Sequence, residues 1–208
     1  MENIPTKWND KAVKDLSIAQ KYRSEQDLTA NEAVKHCEHN LAIELYAGTG
    51  GLTKLYKSYF NEVITNDLNE KVETDWHYPA KLFIQKVLSK VLQGRKLDLI
   101  DFDCYGCPAK EIQEYFNIRK NLDVPFVLRF SDGLGLYLKR NKGEKVIRDR
   151  YLIEGDIVID RIWRRHHELI DYFLKKIANQ YGMKAEKIIS VQTKFKNYVL
   201  GSYRFINI

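Results

Sequence analysis

The chain has 208 residues, 44% hydrophobic and 30% charged, which suits one folded domain with its own core and excludes a disordered chain. No apolar run reaches the ~18–20 residues of a membrane span, Met1–Lys7 has no apolar signal segment, and three cysteines are too few for a disulfide scaffold, so a cytoplasmic protein without a membrane partner is expected. The net charge of +6 is uneven: residues 1–103 carry 14 bases and 16 acids and residues 104–208 carry 20 and 12, which makes the second half a candidate footprint for a polyanion.

In chain order, Lys11 to Tyr22 sets Ala12, Leu16 and Ala19 on one helical face. Thr29-Ala30-Asn31-Glu32 has the form of a capping box, which predicts a second helix starting there. Leu41 to Tyr46 reads as a strand ending in a glycine turn. Strands are also expected at Val63–Thr65, Leu82–Ile84, Leu97–Asp103 and Pro125–Phe130. Helices are expected between them at Leu52–Tyr59, Ala80–Leu92 (in part) and Ala109–Phe116. Alternating strands and helices imply a parallel sheet with right-handed crossovers. A long amphipathic helix, Ile162–Tyr181, is capped by Gly182. Two last strands, about Lys187–Gln192 and Tyr198–Ile206, form a hairpin turning at Lys194–Asn197. The fold class is α/β, with a mostly parallel seven-stranded sheet that ends in an antiparallel hairpin.

Three acidic positions stand out. Glu44 ends the first strand, just before Tyr46-Ala47-Gly48-Thr49-Gly50-Gly51, whose glycines let a backbone turn tightly and approach a ligand. A carboxylate there suits a cationic ligand better than a pyrophosphate. Asp67, at the end of the next strand, can accept hydrogen bonds from both ribose hydroxyls; it can equally cap a helix. Asp101 and Asp103 alternate on one strand and so share a face. Asp103 therefore points toward the crevice where open α/β sheets bind ligands. A carboxylate beside an aromatic, here Tyr105, can hold an exocyclic amine while the ring stacks on its base.

Together these segments resemble class I S-adenosylmethionine-dependent methyltransferases. Glu44 with the glycine loop resembles motif I, and Asn66-Asp67 resembles the ribose-binding acid. Asp103-Cys104-Tyr105-Gly106 sits where nucleic-acid amino-methyltransferases carry an Asp-Pro-Pro-Tyr-like motif. The wider stretch Asp98 to Pro108 is similar to the motif IV region of the tRNA guanine-N2 dimethyltransferase family, and Phe130-Ser131-Asp132 resembles the segment after that family's fifth strand. The resemblance spans roughly residues 40–135. It implies a Rossmann-like core at 39–208 under an N-terminal helical cap at 1–38, as one methyltransferase domain. It implies S-adenosyl-L-methionine as cofactor, held by Glu44, Tyr46, Gly48, Gly50, Asp67 and Asp103, with Phe83, Ile84 or Gln85 flanking the adenine. Asp103, Cys104 and Tyr105 would be the catalytic positions. Cys104 departs from the family's proline and Cys107 from its serine.

The densest basic stretch, Tyr137–Arg150, follows the strand that ends near Asp132. Lys139, Arg140, Lys142, Lys145, Arg148 and Arg150 there, extended by Arg164 and Arg165, are candidate phosphate contacts for RNA or DNA; the same charges also suit a plain surface loop. Cys104 and Cys107 have metal-ligand spacing, but one such pair without a second leads to no expected metal. Cys104 as a cytosine-attacking nucleophile is a further alternative. His166 is expected at the edge of the core. The expected function is methyl transfer to an exocyclic amine of a nucleic-acid base, RNA slightly ahead of DNA. A nucleic-acid-binding protein without turnover and a small-molecule or protein methyltransferase are the alternatives.

Overall fold

A computed structural model describes residues 22–119, 125–135, 144–154, 162–193 and 198–208. Helix α1 (Arg23–Val34) leads into β1 (Leu41–Glu44), α2 (Gly51–Lys57) and β2 (Glu62–Thr65). Next come α3 (Ala80–Phe83), a π turn at Ile84–Leu88 and α4 (Ser89–Leu92), then β3 (Leu99–Asp103) and α5 (Ala109–Ile118). The chain continues through β4 (Phe126–Asp132), α6 (Glu144–Tyr151), a 3-10 turn at Ile162–Arg165 and α7 (His166–Gln180), and ends with β5 (Met183–Gln192) and β6 (Val199–Asn207).

The described strands make one six-stranded sheet in the order β2-β1-β3-β4-β6-β5. β1 to β4 pair in parallel, and β6 runs antiparallel between β4 and β5. The expected mostly parallel sheet with a terminal antiparallel pair is thus present. Leu82–Ile84, expected as a strand, is helical instead. Phe83, Ile84, Val87 and Leu88 are buried on one side of a continuous helical stretch. That spacing is helical, and a three-residue apolar run cannot distinguish it from a strand. Without it the described residues hold six strands rather than seven. The expected first helix lies outside the described residues, apart from Tyr22.

Thr29 does not start a helix. It sits in the second turn of α1, where its hydroxyl donates to the carbonyls of Glu25 and Gln26, at 2.9 and 3.1 Å. Its side chain thus satisfies itself within the helix, as threonine commonly does mid-helix. Gly182 does cap the long helix, with φ of +69°.

Side chains alternate across the sheet, and the two faces carry different chemistry. Ile43, Ile100, Phe102, Leu128 and Phe130 face the larger core, where they meet Phe83, Tyr115, Phe116, Phe173 and Leu174. Phe126 and Phe205 stack there with centroids 4.9 Å apart. Ala42, Leu99 and Val127 face the smaller core under α1 and α2, with Ala30, Ala33, Leu52 and Tyr56. Toward the C-terminal ends of the strands this second face turns polar: Glu44, Asp101, Arg129, Ser131 and Ser202 are all buried. The sequence places them at every second position, so the fold that buries the apolar alternates buries these as well.

Candidate active site

The site forms where β1, β2 and β3 end. Past Glu44 the chain stays tied to its neighbours, since Leu45 N–H donates to Asp101 O and Ala47 N–H to Asn66 O. Gly48 and Gly50 then take φ of +51° and +76°, a region that side chains with a Cβ rarely adopt. A Cβ on Gly48 would meet no atom within 4 Å, so the loop leaves open space in front of it. Asp67 Oδ2 accepts the Gly48 N–H at 2.8 Å, and Oδ1 accepts the Asn69 N–H at 2.8 Å. The acid after β2 therefore shapes the glycine loop directly.

Glu44 is buried and accepts the Thr53 hydroxyl at 2.6 Å. Burial lifts its carboxyl to about 8, the charge on Asp101 and Asp103 adds to the rise, and the Thr53 hydrogen bond acts against it. A cation arriving beside Glu44 would restore its charge. Tyr46 is half-buried, and its hydroxyl is pushed up by burial first, then by Cys104, Glu111, Asp67 and Cys107. One ring thus senses both the acid after β2 and the loop after β3.

Asp103 ends β3 and keeps 13% of its side chain exposed. Its Oδ1 takes the Ser131 hydroxyl and lies 3.0 Å from the Arg129 guanidinium. Its Oδ2 accepts the Gln26 carboxamide at 2.9 Å. Arg129 is wholly buried and also pairs with Asp101 at 3.0 Å, while the Tyr56 hydroxyl donates to Asp101 at 2.5 Å. Burial acts to strip the Arg129 proton, but Asp101 and Asp103 hold it well above the ordinary arginine range. Burial raises Asp101 to about 6, Arg129 opposing it.

The Tyr105 ring is 45% exposed at the mouth of the cleft beside Asp103. Cys104 is buried, its thiol against the Ser131 carbonyl at 3.5 Å, and burial pushes its pKa well up. A thiol held protonated in this way does not suit a nucleophile. Cys107 turns instead to the Tyr151 hydroxyl, 3.6 Å away, so the two thiols have separate partners. No group of three or more potential metal ligands occurs among the described residues.

Other expectations are met differently. Phe83 and Ile84 are sealed in the core, and exposed Gln85 donates to Glu114 on α5 at 2.9 Å. The helical geometry of this segment points Gln85 outward and so does not bring it to the glycine loop. Lys139, Arg140 and Lys142 lie outside the described residues, and Lys145 is described only as part of the α6 backbone. Arg150 turns partly inward toward Cys107, which together with Tyr151 and Glu111 holds its charge against partial burial. Arg165 pairs with Glu168 on the surface. Arg148 is half-buried and Arg164 exposed. Among the described residues, Arg150 is thus turned partly inward while Arg164 and Arg165 are exposed.

Three features, Gln26, Arg129 and Trp76, carry no signal in the linear sequence. Gln26 and Arg129 reach Asp103 across 77 and 26 positions of chain, the first by a hydrogen bond and the second by an ion pair. Trp76 hydrogen-bonds alongside β2, its carbonyl accepting the Asp67 N–H at 3.1 Å, and the exposed rings of Trp76 and Tyr78 lie 6.1 Å apart on the same segment. His166 is fully buried rather than at the core edge. It lies 3.3 Å from Asp132 and 3.1 Å from the Tyr151 hydroxyl, which itself donates to Asp132 at 2.7 Å. Only the Phe130-Ser131-Asp132 resemblance touches this cluster.

No protein-family model matches the sequence, and no curated protein matches it. Solved structures do match the fold. Trm1 from Pyrococcus horikoshii, solved with S-adenosyl-L-methionine, aligns at a TM-score of 0.59 and 12% identity over 87% of this chain, which spans 55% of that one. The N-methyltransferase NodS from Bradyrhizobium japonicum WM9, solved with S-adenosyl-L-homocysteine, aligns at 0.52 and 10% identity over 88% of this chain and 86% of its own. An rRNA methylase from Streptococcus thermophilus aligns at 0.51 and 11% identity, covering 86% and 95%. The likeness is one of fold: the chain has the class I methyltransferase-type α/β architecture.

Proposed function

We propose that the chain is a methyltransferase that uses S-adenosyl-L-methionine and acts on an exocyclic amine of a nucleic-acid base, RNA slightly ahead of DNA. The observation that carries this reading is the placing of Glu44, Asp67 and Asp103 at the ends of three adjacent parallel strands, around a loop with two positive-φ glycines. The residues fit the cofactor by their chemistry. Glu44, buried and lifted to about 8, is a latent partner for an α-ammonium group. The open face of Gly48 admits the methionyl part, and Asp67 serves the ribose. Trp76 and Tyr78, rather than Gln85, would flank the adenine, because they lie on the segment that hydrogen-bonds to Asn66 and Asp67. When bound, the cofactor supplies a sulfonium methyl as the electrophile.

With the cofactor in place, its methyl group would pass to the lone pair of the acceptor nitrogen, the thioether would leave, and the amine proton would go to solvent. Asp103 accepts a hydrogen bond from the amine, which aims the lone pair and stabilises the positive charge that develops on nitrogen. Ser131 and Arg129 fix Asp103 from the other side. Tyr105, exposed at the cleft mouth, stacks on the base. A base within a duplex would have to be flipped out first.

The test is transfer of tritiated methyl groups to bulk tRNA, rRNA and DNA, followed by nucleoside analysis. Label on an exocyclic amine supports the reading; absence of label in all three polymers overturns it. A second reading, a nucleic-acid binder without turnover, is favoured by one observation: both Asp103 oxygens already have partners. Calorimetry with S-adenosylmethionine separates the two, since the second reading requires no cofactor binding.

A further inference from the structure

We propose that the first turn of α1 is a gate on the acceptor slot and that Gln26 is its latch. The inference rests on reading Asp103 as the holder of the acceptor amine. The Gln26 carboxamide nitrogen donates to Asp103 Oδ2 at 2.9 Å, while Oδ1 is held by Ser131 and Arg129. A carboxamide NH2 is planar and conjugated, as is an exocyclic base amine, and a carboxylate only accepts. Gln26 therefore occupies, with the same chemistry, the position that the acceptor must take.

The slot is also closed in space. The cleft beside Asp103 encloses about 20 Å³, room for one water molecule and not for a base. Gln26 is only 8% exposed, and Tyr22, at the head of the helix, lies over Tyr198 with ring centroids 5.1 Å apart. Both closing residues come from one end of α1.

That end is held differently from the rest of the helix. Thr29, Ala30, Ala33 and Val34 are buried, and the Ser202 hydroxyl donates to the Thr29 carbonyl at 3.0 Å. Ahead of Thr29 no side chain caps the helix; Arg23 pairs with Asp27 on an exposed flank and lays its guanidinium over Gly51 at the head of α2, a polar contact rather than an apolar seat. The first turn can lift while the remainder stays docked. Exchange of the Gln26 amide for the acceptor amine is like for like at Asp103, so the acceptor opens the gate by competition.

Cys104, on the wall of this cleft, reports on the gate without any need for activity, and Cys107, beneath it against Tyr151, is an internal reference. The experiment measures iodoacetamide labelling of each cysteine by peptide mass spectrometry in the full chain and in Gln26→Ala and Gln26→Glu. The second variant keeps the side-chain volume but sets a carboxylate against Asp103. Loss of the latch should raise Cys104 labelling about tenfold, the worth of a charge-assisted hydrogen bond, with Cys107 unchanged. Cys104 labelling at the wild-type rate in Gln26→Glu overturns the gate. So does a rise shared equally by Cys107 in both variants, since that is general loosening. In parallel, kcat/KM for methyl transfer to bulk tRNA should rise in Gln26→Ala with KM for the cofactor unchanged. A fall would overturn the competition and make Gln26 an acceptor contact. If the wild-type chain transfers no methyl group, the functional reading fails, and Cys104 labelling still decides whether the turn is a latched cover.

Discussion

Glu44 and Asp103 are both strand-end acids, yet their surroundings divide their work. Glu44 is sealed under Thr53, where burial and the charges on Asp101 and Asp103 outweigh Arg129, whereas Asp103 is partly open and pairs with the Arg129 guanidinium. Asp103→Ala should lower methyl transfer by roughly 10²–10³-fold, as loss of a positioning and charge-stabilising group does, with cofactor affinity retained; single-turnover rates and calorimetry check this. For Glu44 the sign follows from linkage. The folded chain keeps its proton up to about 8, while the unfolded carboxyl loses its own near 4.5. Between these values the folded state binds more protons, so stability falls as pH rises through the window. Glu44→Gln should flatten that slope, leaving the variant more stable than wild type near pH 8 in urea titrations, and should weaken cofactor binding. Asp101, raised to about 6, adds a slope of the same sign at lower pH.

At the scale of elements, the loop after β3 and the end of β4 fit against each other through backbone. Gly133 N–H donates to Gly106 O at 2.7 Å, and a Cβ on Gly133 would lie 2.3 Å from the Tyr105 carbonyl. Gly133→Ala should therefore destabilise by about 1–3 kcal/mol and displace Tyr105, because backbone cannot swing away as a side chain can; urea unfolding measures the first effect and acceptor KM the second. Helices α6 and α7 are fastened to the end of β4 by the Asp132–Tyr151–His166 cluster. Burial would raise Asp132, but His166, the Leu134 N–H and Tyr151 bring it below the usual 3.8. Its contribution is therefore present above that value and lost only as pH falls through the lowered one. Tyr151→Phe leaves Asp132 Oδ2 without this donor and should cost about 1–3 kcal/mol, read by urea unfolding at pH 7.

At the scale of the whole molecule, charge is uneven along the sequence. The second half carries the surplus of bases, but Arg150 turns partly inward and Arg165 is paired with Glu168. A polyanion would be held by exposed bases such as Arg164. Binding to bulk tRNA should weaken roughly tenfold between 50 and 200 mM salt for every two phosphates neutralised. Filter binding across that range tests it, and an affinity indifferent to salt would rule out a phosphate-tracking surface.

Much of the architecture was legible because it is local. Short apolar runs mark β1, β3 and β4, a 3.6-residue period marks α7, and the glycine loop after Glu44 announces a strand-to-helix turn. Leu82–Ile84 was misleading because three apolar residues fit either period, and only burial of Val87 and Leu88 on the same side makes the segment a helix. The acids of the candidate site were also legible, since strand-end carboxylates on parallel strands must gather at one edge of the sheet. Their partners were not. Gln26, Arg129 and Trp76 reach the site through packing of α1 on the sheet, through register between β3 and β4, and through a return of chain alongside β2. Hydrogen bonds and ion pairs of that kind depend on distances set by the assembled fold, and one-dimensional spacing carries no record of them.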